Sequence, residues 1–251
     1  MSEDKQATNI TTRDLPYSDL DTPLTGMLCR DEAQLGTRPG ILLVHGGAGL
    51  DDHAREQARR YAALGYVVLA CALFGDGIAG DRKRVIGCLT ALRDDPVLLV
   101  RRSQAGLTAL ADCPGTDGRF AAVGFCFGGM AVLALARSGE RLAGAVSIHG
   151  SLATSRPAEP GGVQARLLVC HGALDPHVPL VHVTAFAEEM SAAGADWQLI
   201  MYGGALHGFT HRHAQPGVTP GVAHNPLADD RSFTATRTFL AEIFGEREQI
   251  P

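Results

Sequence analysis

The chain lacks a CxxC pair and any short, regular cysteine spacing; its six cysteines are scattered at 29, 71, 88, 113, 126 and 170. Several sit in apolar, strand-like stretches, where a free thiol behaves as a small hydrophobe, so no structural disulfide is expected. No basic run exceeds Arg82-Lys83-Arg84, and the formal charge of −5 gives no electrostatic reason for a nucleic acid or anionic membrane partner. Those three residues read as a solvated helix face. No window is long and apolar enough to span a bilayer, and Met1-Ser-Glu-Asp-Lys-Gln6 lacks the apolar core of a secretory signal. A cytoplasmic protein is therefore expected. No internal repeat is present, and no Pro/Gly/Ser linker divides the chain. With 45% hydrophobic and 20% charged residues, 251 residues suffice for one large core. A loose polar arm over residues 1–20 and a single domain over 21–251 are expected.

What is there alternates between short apolar runs and helix formers. Leu24–Cys29 reads as an edge strand. Ile41-Leu-Leu-Val44 is apolar throughout, as in a parallel strand buried on both faces. It ends in His45-Gly46-Gly47-Ala48-Gly49. Asp51-Asp52 opens a helical segment with acids first and arginines last, and Gly65 stops it. Tyr66–Cys71 is the next strand, which makes a βαβ unit and hence a parallel sheet. Helices are expected over 81–93 and 96–111, a strand over 119–125 and a helix from there to about Arg137. Strands at 142–149, 165–170 and 196–202 follow, with helices over 180–193 and 228–244 and a surface loop over 151–164. The fold class is α/β, with a mostly parallel sheet flanked by helices on both faces.

The stretch Gly124-Phe125-Cys126-Phe127-Gly128-Gly129 turns a strand directly into a helix. This is the pattern of a nucleophile elbow, in which glycines permit a sharp turn and the central residue is pushed to its tip. Here that residue is cysteine. Asp175 and His207 also stand just past predicted parallel strands, at the edge where open α/β sheets gather ligands. The order nucleophile, acid, histidine is that of the α/β-hydrolases. A helix N-terminus favours a thiolate at Cys126. His207 could exchange the thiol proton with a leaving group, and Asp175 could fix the imidazole tautomer. The backbone N–H groups of Phe127 and Gly47 are the expected oxyanion donors. Phe74 stands at a strand end as a candidate pocket residue. With His207 already assigned, His211 and His213 in a polar loop read as solvated side chains rather than metal ligands, so no metal is expected.

The chain resembles the dienelactone hydrolase family from about Leu24 to Phe244. The resemblance rests on Val44-His45 with Gly49-Leu-Asp-Asp-His53, on Leu73-Phe-Gly75 and on the cysteine elbow. It also rests on His171-Gly-Ala-Leu-Asp175 with Val178-Pro179, and on Tyr202 with His207-Gly-Phe209. It implies an α/β-hydrolase fold, a Cys126–His207–Asp175 triad, and hydrolysis of a small-molecule carboxylic ester or enol-lactone without cofactor or metal. A monomer or homodimer is expected. Three departures stand out. Gly46 occupies the position where the family usually has a glutamate that helps form the thiolate. His211 stands where dienelactone hydrolase has a substrate-binding arginine. Ala70-Cys-Ala-Leu73 replaces the common Ala-Pro-Asp-Leu. Gly46 and His211 are accordingly candidate substrate-contact positions. They also keep open a general small esterase, thioesterase or acyl transferase on the same triad. A hydrolase scaffold that only binds is the remaining alternative.

Overall fold

A computed structural model describes residues 9–78 and 81–245. The expectations for residues 1–8 and 246–251 lie outside the described residues. The strands are β1 (Ile10–Asp19), β2 (Thr22–Asp31), β3 (Arg38–Val44), β4 (Val67–Cys71), β5 (Thr116–Phe125), β6 (Gly144–Ile148), β7 (Arg166–Gly172) and β8 (Trp197–Tyr202). They form one sheet in the order β1-β2-β4-β3-β5-β6-β7-β8. The β1–β2 and β2–β4 pairs are antiparallel, and every other pair is parallel. The helices are α1 (Asp52–Ala62), α2 (Arg82–Asp94), α3 (Pro96–Ala111), α4 (Phe127–Arg137), α5 (Leu180–Ala192) and α6 (Pro226–Ile243).

Alternation along the strands feeds two cores. Ile41 and Leu43 of β3 pack with Ala54, Ala58 and Tyr61 of α1 and Phe239 and Leu240 of α6. Leu42 and Val44 face the opposite way, towards the side covered by Leu92 of α2, Leu107 of α3, Val132 of α4 and Phe186 of α5. The helix starts follow local chemistry. The Asp51, Asp81 and Asp95 carboxylates cap α1, α2 and α3 by accepting first-turn N–H groups. Gly65 takes φ +96° behind α1, a conformation that favours glycine. Arg82, Lys83 and Arg84 are exposed. All six cysteines are free.

Two expectations need correction. Residues 10–19 are not a loose arm, because β1 pairs along its whole length with β2. As an edge strand it keeps one wet face, which is why its composition reads as polar. Its other face docks: Tyr17 Oη donates to Ala72 O at 2.7 Å and accepts from Ala72 N at 2.9 Å. It follows that Leu24–Cys29 is not an edge strand but an interior one, with Leu24, Met27, Leu28 and Cys29 buried.

The end of β1 is tied to α3 by charge. The buried Asp19 carboxylate accepts from Arg101 Nε at 2.8 Å and Arg102 Nε at 2.7 Å. Arg102 Nη1 also donates to Leu73 O at 2.7 Å, just past β4. Removing the carboxylate leaves a guanidinium that is 10% exposed without its counter-charge. Asp19→Ala should cost about 3–5 kcal/mol in urea denaturation. A loss below about 1 kcal/mol would show that the β1–α3 tie is not structural.

Candidate active site

Cys126 stands between β5 and α4 with φ 53° and ψ −114°, outside the usual regions for a residue with a Cβ. The glycines around it are required by contact. A Cβ on Gly124 would lie 2.0 Å from Gly128 O, and one on Gly128 would lie 2.1 Å from Val44 O. The turn therefore packs backbone against backbone and projects the thiol from the first turn of α4, where the helix dipole favours a negative charge.

Asp175 follows β7, and His207 lies in the loop after β8. His207 Nε2 is 3.0 Å from Cys126 Sγ, and His207 Nδ1 is 2.7 Å from Asp175 Oδ2. The other oxygen of Asp175 accepts the backbone N–H groups of His177 at 2.8 Å and Val178 at 3.2 Å. Nδ1 thus donates to the carboxylate, leaving Nε2 to exchange a proton with sulphur. Burial pushes the Cys126 thiol up, but the hydrogen bond and charge of His207 and the amides of Phe127 and Gly47 outweigh it, leaving the thiol below its ordinary value. Burial lowers His207, yet hydrogen bonds to Asp175 and Cys126 raise it to about 10. Burial raises Asp175, and its bond to His207 brings it below the usual carboxylate value. All three directions favour a thiolate–imidazolium pair held by a carboxylate. The backbone N–H groups of Phe127 and Gly47, expected from sequence as oxyanion donors, both act to lower the thiol.

A second group of histidines lies behind the thiol, and the sequence spacing did not reveal it. His149, at φ 41°, is fully buried. Its Nδ1 accepts the Cys126 N–H at 3.1 Å, a donor shared with Ile148 O at 3.0 Å. Nε2 of His149 must then carry the proton, which it gives to Thr210 Oγ1 at 2.9 Å. The Thr210 hydroxyl is left to donate to His53 Nε2 at 2.9 Å. Burial lowers His149 well below its ordinary value and brings His53 to about 3, so both stay neutral. The only sequence signal for this group is that His149 follows the end of β6 and His53 opens α1.

Two of the three departures, Gly46 and His211, meet in space. A Cβ on Gly46 would lie 3.7 Å from Cys126 Cβ and 4.0 Å from His211 Nε2. The His211 ring stacks on His53 with centroids 3.7 Å apart, and burial lowers its pKa. His211 is therefore not simply solvated, as expected from sequence, whereas His213 is exposed. Phe74 lines a separate cavity of about 390 Å³ with His45, Gly49 and Asp51, and neither opening at the thiol. It packs edge-on against His45 at 4.7 Å and against Phe127 at 5.8 Å, and the wall of the cavity at the thiol is Phe127 itself. Among the described residues, no cluster of three His, Cys, Asp or Glu side chains could hold a metal ion. No described helix is long and apolar enough to cross a membrane.

Cys126 and His207 line two openings. One is a cavity of about 800 Å³ walled by Leu89, Leu99, Phe127, Met130, Ala134 and Val178, among others. The other is a cleft of about 630 Å³ that includes Gly47, His53 and His211. The elbow, the sheet order and the residues at the strand ends define an α/β-hydrolase. The chain belongs to the dienelactone hydrolase family, whose model matches residues 24–244. Within that family it is a hydrolase acting on ester bonds. It is similar to the solved structure of m3DLH, with 39% identity and a TM-score of 0.87 over 93% of this chain and 98% of that one. It is likewise similar to a dienelactone hydrolase-like promiscuous phosphotriesterase from metagenomic libraries, at 37% identity and TM-score 0.88 over 94% and 99% of the two chains. The uncharacterized Caenorhabditis elegans protein K02A2.1 is 39% identical over 152 residues, which cover 57% of this chain and 92% of its own.

The charge balance can be read by alkylation. The reactive thiolate is present above a depressed Cys126 pKa, and its imidazolium partner persists to about pH 10. The rate of iodoacetamide modification at Cys126 should therefore titrate with a midpoint below the ~8.5 of a free cysteine. In His207→Gln the midpoint should rise. A wild-type midpoint at or above the free-thiol value would contradict the ion pair.

Proposed function

We propose that the chain is a cysteine-dependent hydrolase of carboxylic esters or lactones. One observation carries the reading: Cys126 Sγ, His207 Nε2 and Asp175 form a continuous relay of 3.0 and 2.7 Å on a strained turn. In the reaction, the Cys126 thiolate attacks the carbonyl carbon, and the carbonyl π electrons move onto oxygen. The Gly47 and Phe127 N–H groups stabilise that oxyanion. As the tetrahedral intermediate collapses, His207 Nε2–H protonates the departing alkoxide and a thioester remains on Cys126. His207 then takes a proton from water, the hydroxide attacks the thioester, and the acid leaves as the thiolate–imidazolium pair re-forms. Asp175 holds the ring so that Nε2 faces sulphur throughout.

The relay contains its own base, so the missing glutamate at position 46 does not leave the thiol without one. Gly46 and the neutral His211 favour a general ester hydrolase over an enzyme devoted to dienelactone. The intact relay weighs against a scaffold that only binds.

p-Nitrophenyl acetate should give a burst of about one p-nitrophenolate per protein molecule followed by steady turnover, the signature of a covalent intermediate. Cys126→Ala should abolish the burst and lower kcat by about a thousandfold or more. A Cys126→Ala protein turning over at the wild-type rate would remove Cys126 as nucleophile.

A further inference from the structure

The larger cavity has a simple construction. Its floor is one stripe of α4: Cys126, Met130, Ala134 and Arg137 recur at helical spacing and all line it. From Cys126 to Ala134 the stripe runs about 12 Å along the helix axis. Leu89 and Leu99, from α2 and α3, and Val178, just before α5, form much of the opposing wall. A substrate carbonyl held at the Phe127 amide therefore points one substituent along an elongated, largely apolar trough.

The charges at the two openings are already matched. Arg137 at the far end donates from Nε to Glu189 Oε1 at 2.8 Å and from Nη2 to Glu189 Oε2 at 2.7 Å, and also to Leu152 O at 3.0 Å. Its side chain is 4% exposed. Arg93 at the rim pairs with Asp94 at 2.8 Å. His177 Nε2 is 3.1 Å from Pro220 O. In the second cleft, Arg212 pairs with Glu56 at 2.7 Å, and Asp51 and Asp52 add negative charge. Among the described residues, an anionic substituent meets no unengaged arginine lining either opening and would have to displace a carboxylate. A neutral hydrocarbon arm gains from burial along α4.

We propose that this site selects uncharged esters carrying an extended apolar arm, seated along α4, and discriminates against carboxylate-bearing esters and lactones. The inference rests on the ester-hydrolase reading and names its substrate class. The test compares kcat/KM for p-nitrophenyl acetate, hexanoate and octanoate with that for mono-p-nitrophenyl adipate, whose chain ends in a carboxylate. Hexanoate or octanoate should exceed acetate by at least about tenfold, the direction set by burying each added methylene. Adipate should fall at least about tenfold below hexanoate, because its charge must be desolvated without a free partner. Ala134→Trp, which narrows the trough, should lower the octanoate-to-acetate ratio. Because the ratio is taken on one preparation, a partly unfolded sample does not mimic the effect.

A flat or falling chain-length series, or adipate matching hexanoate, overturns the inference while acetate turnover leaves the ester-hydrolase reading in place. Failure to turn over any of the four esters removes both.

Discussion

The active site depends on one constraint: Cys126 must hold a positive φ at the point where β5 becomes α4. That conformation costs about 1–3 kcal/mol for a residue with a Cβ. It persists because the surroundings leave the turn no alternative. Gly124 and Gly128 sit at backbone contact, where any side chain would collide with Gly128 O or Val44 O. The Cys126 N–H is held from behind by Ile148 O and His149 Nδ1. The same turn aims the thiol at His207, places it at the head of α4 and brings the Phe127 amide to the sulphur. Geometry and electrostatics therefore come from one local fold.

Around that turn the charges are divided with some economy. A carboxylate, Asp175, faces His207 and is anchored by two backbone N–H groups. Behind the thiol, His149, Thr210 and His53 make a chain of neutral hydrogen bonds, which holds the elbow without adding charge next to the thiolate. Gly46 and His211 are neighbours: a Cβ on Gly46 would lie 4.0 Å from His211 Nε2. With no carboxylate at position 46, the His207–Asp175 pair stabilises the thiolate, alongside the amides and the helix.

Much of this was legible in the sequence, for definite reasons. Cys126, Asp175 and His207 each follow an apolar run, and a parallel sheet brings such strand ends together; the structure puts them within hydrogen-bond reach. Phe127 and Gly47 were expected near the elbow because Phe127 follows Cys126 in the chain and Gly47 follows β3, the strand paired with β5. β1 was not, since an edge strand with one wet face has the composition of a loop. His149, Thr210 and His53 were not, because their contact is created by three separate connections with no common spacing. Phe74 lines a cavity beside His45 rather than the one at the thiol, because a strand-end position does not say which of two neighbouring hollows a side chain faces. The trough along α4 needed the placement of α2 and α3, which sequence periodicity does not provide.

The central claim is that Cys126 becomes acylated through its contact with His207. The direct measurement is mass spectrometry of protein mixed with p-nitrophenyl acetate and quenched in acid within a turnover. The account predicts an added acetyl group on the peptide containing Cys126, in wild type and not in Cys126→Ala. Steady hydrolysis with no acylated Cys126 peptide at any quench time, or acetyl groups confined to other residues, would contradict it.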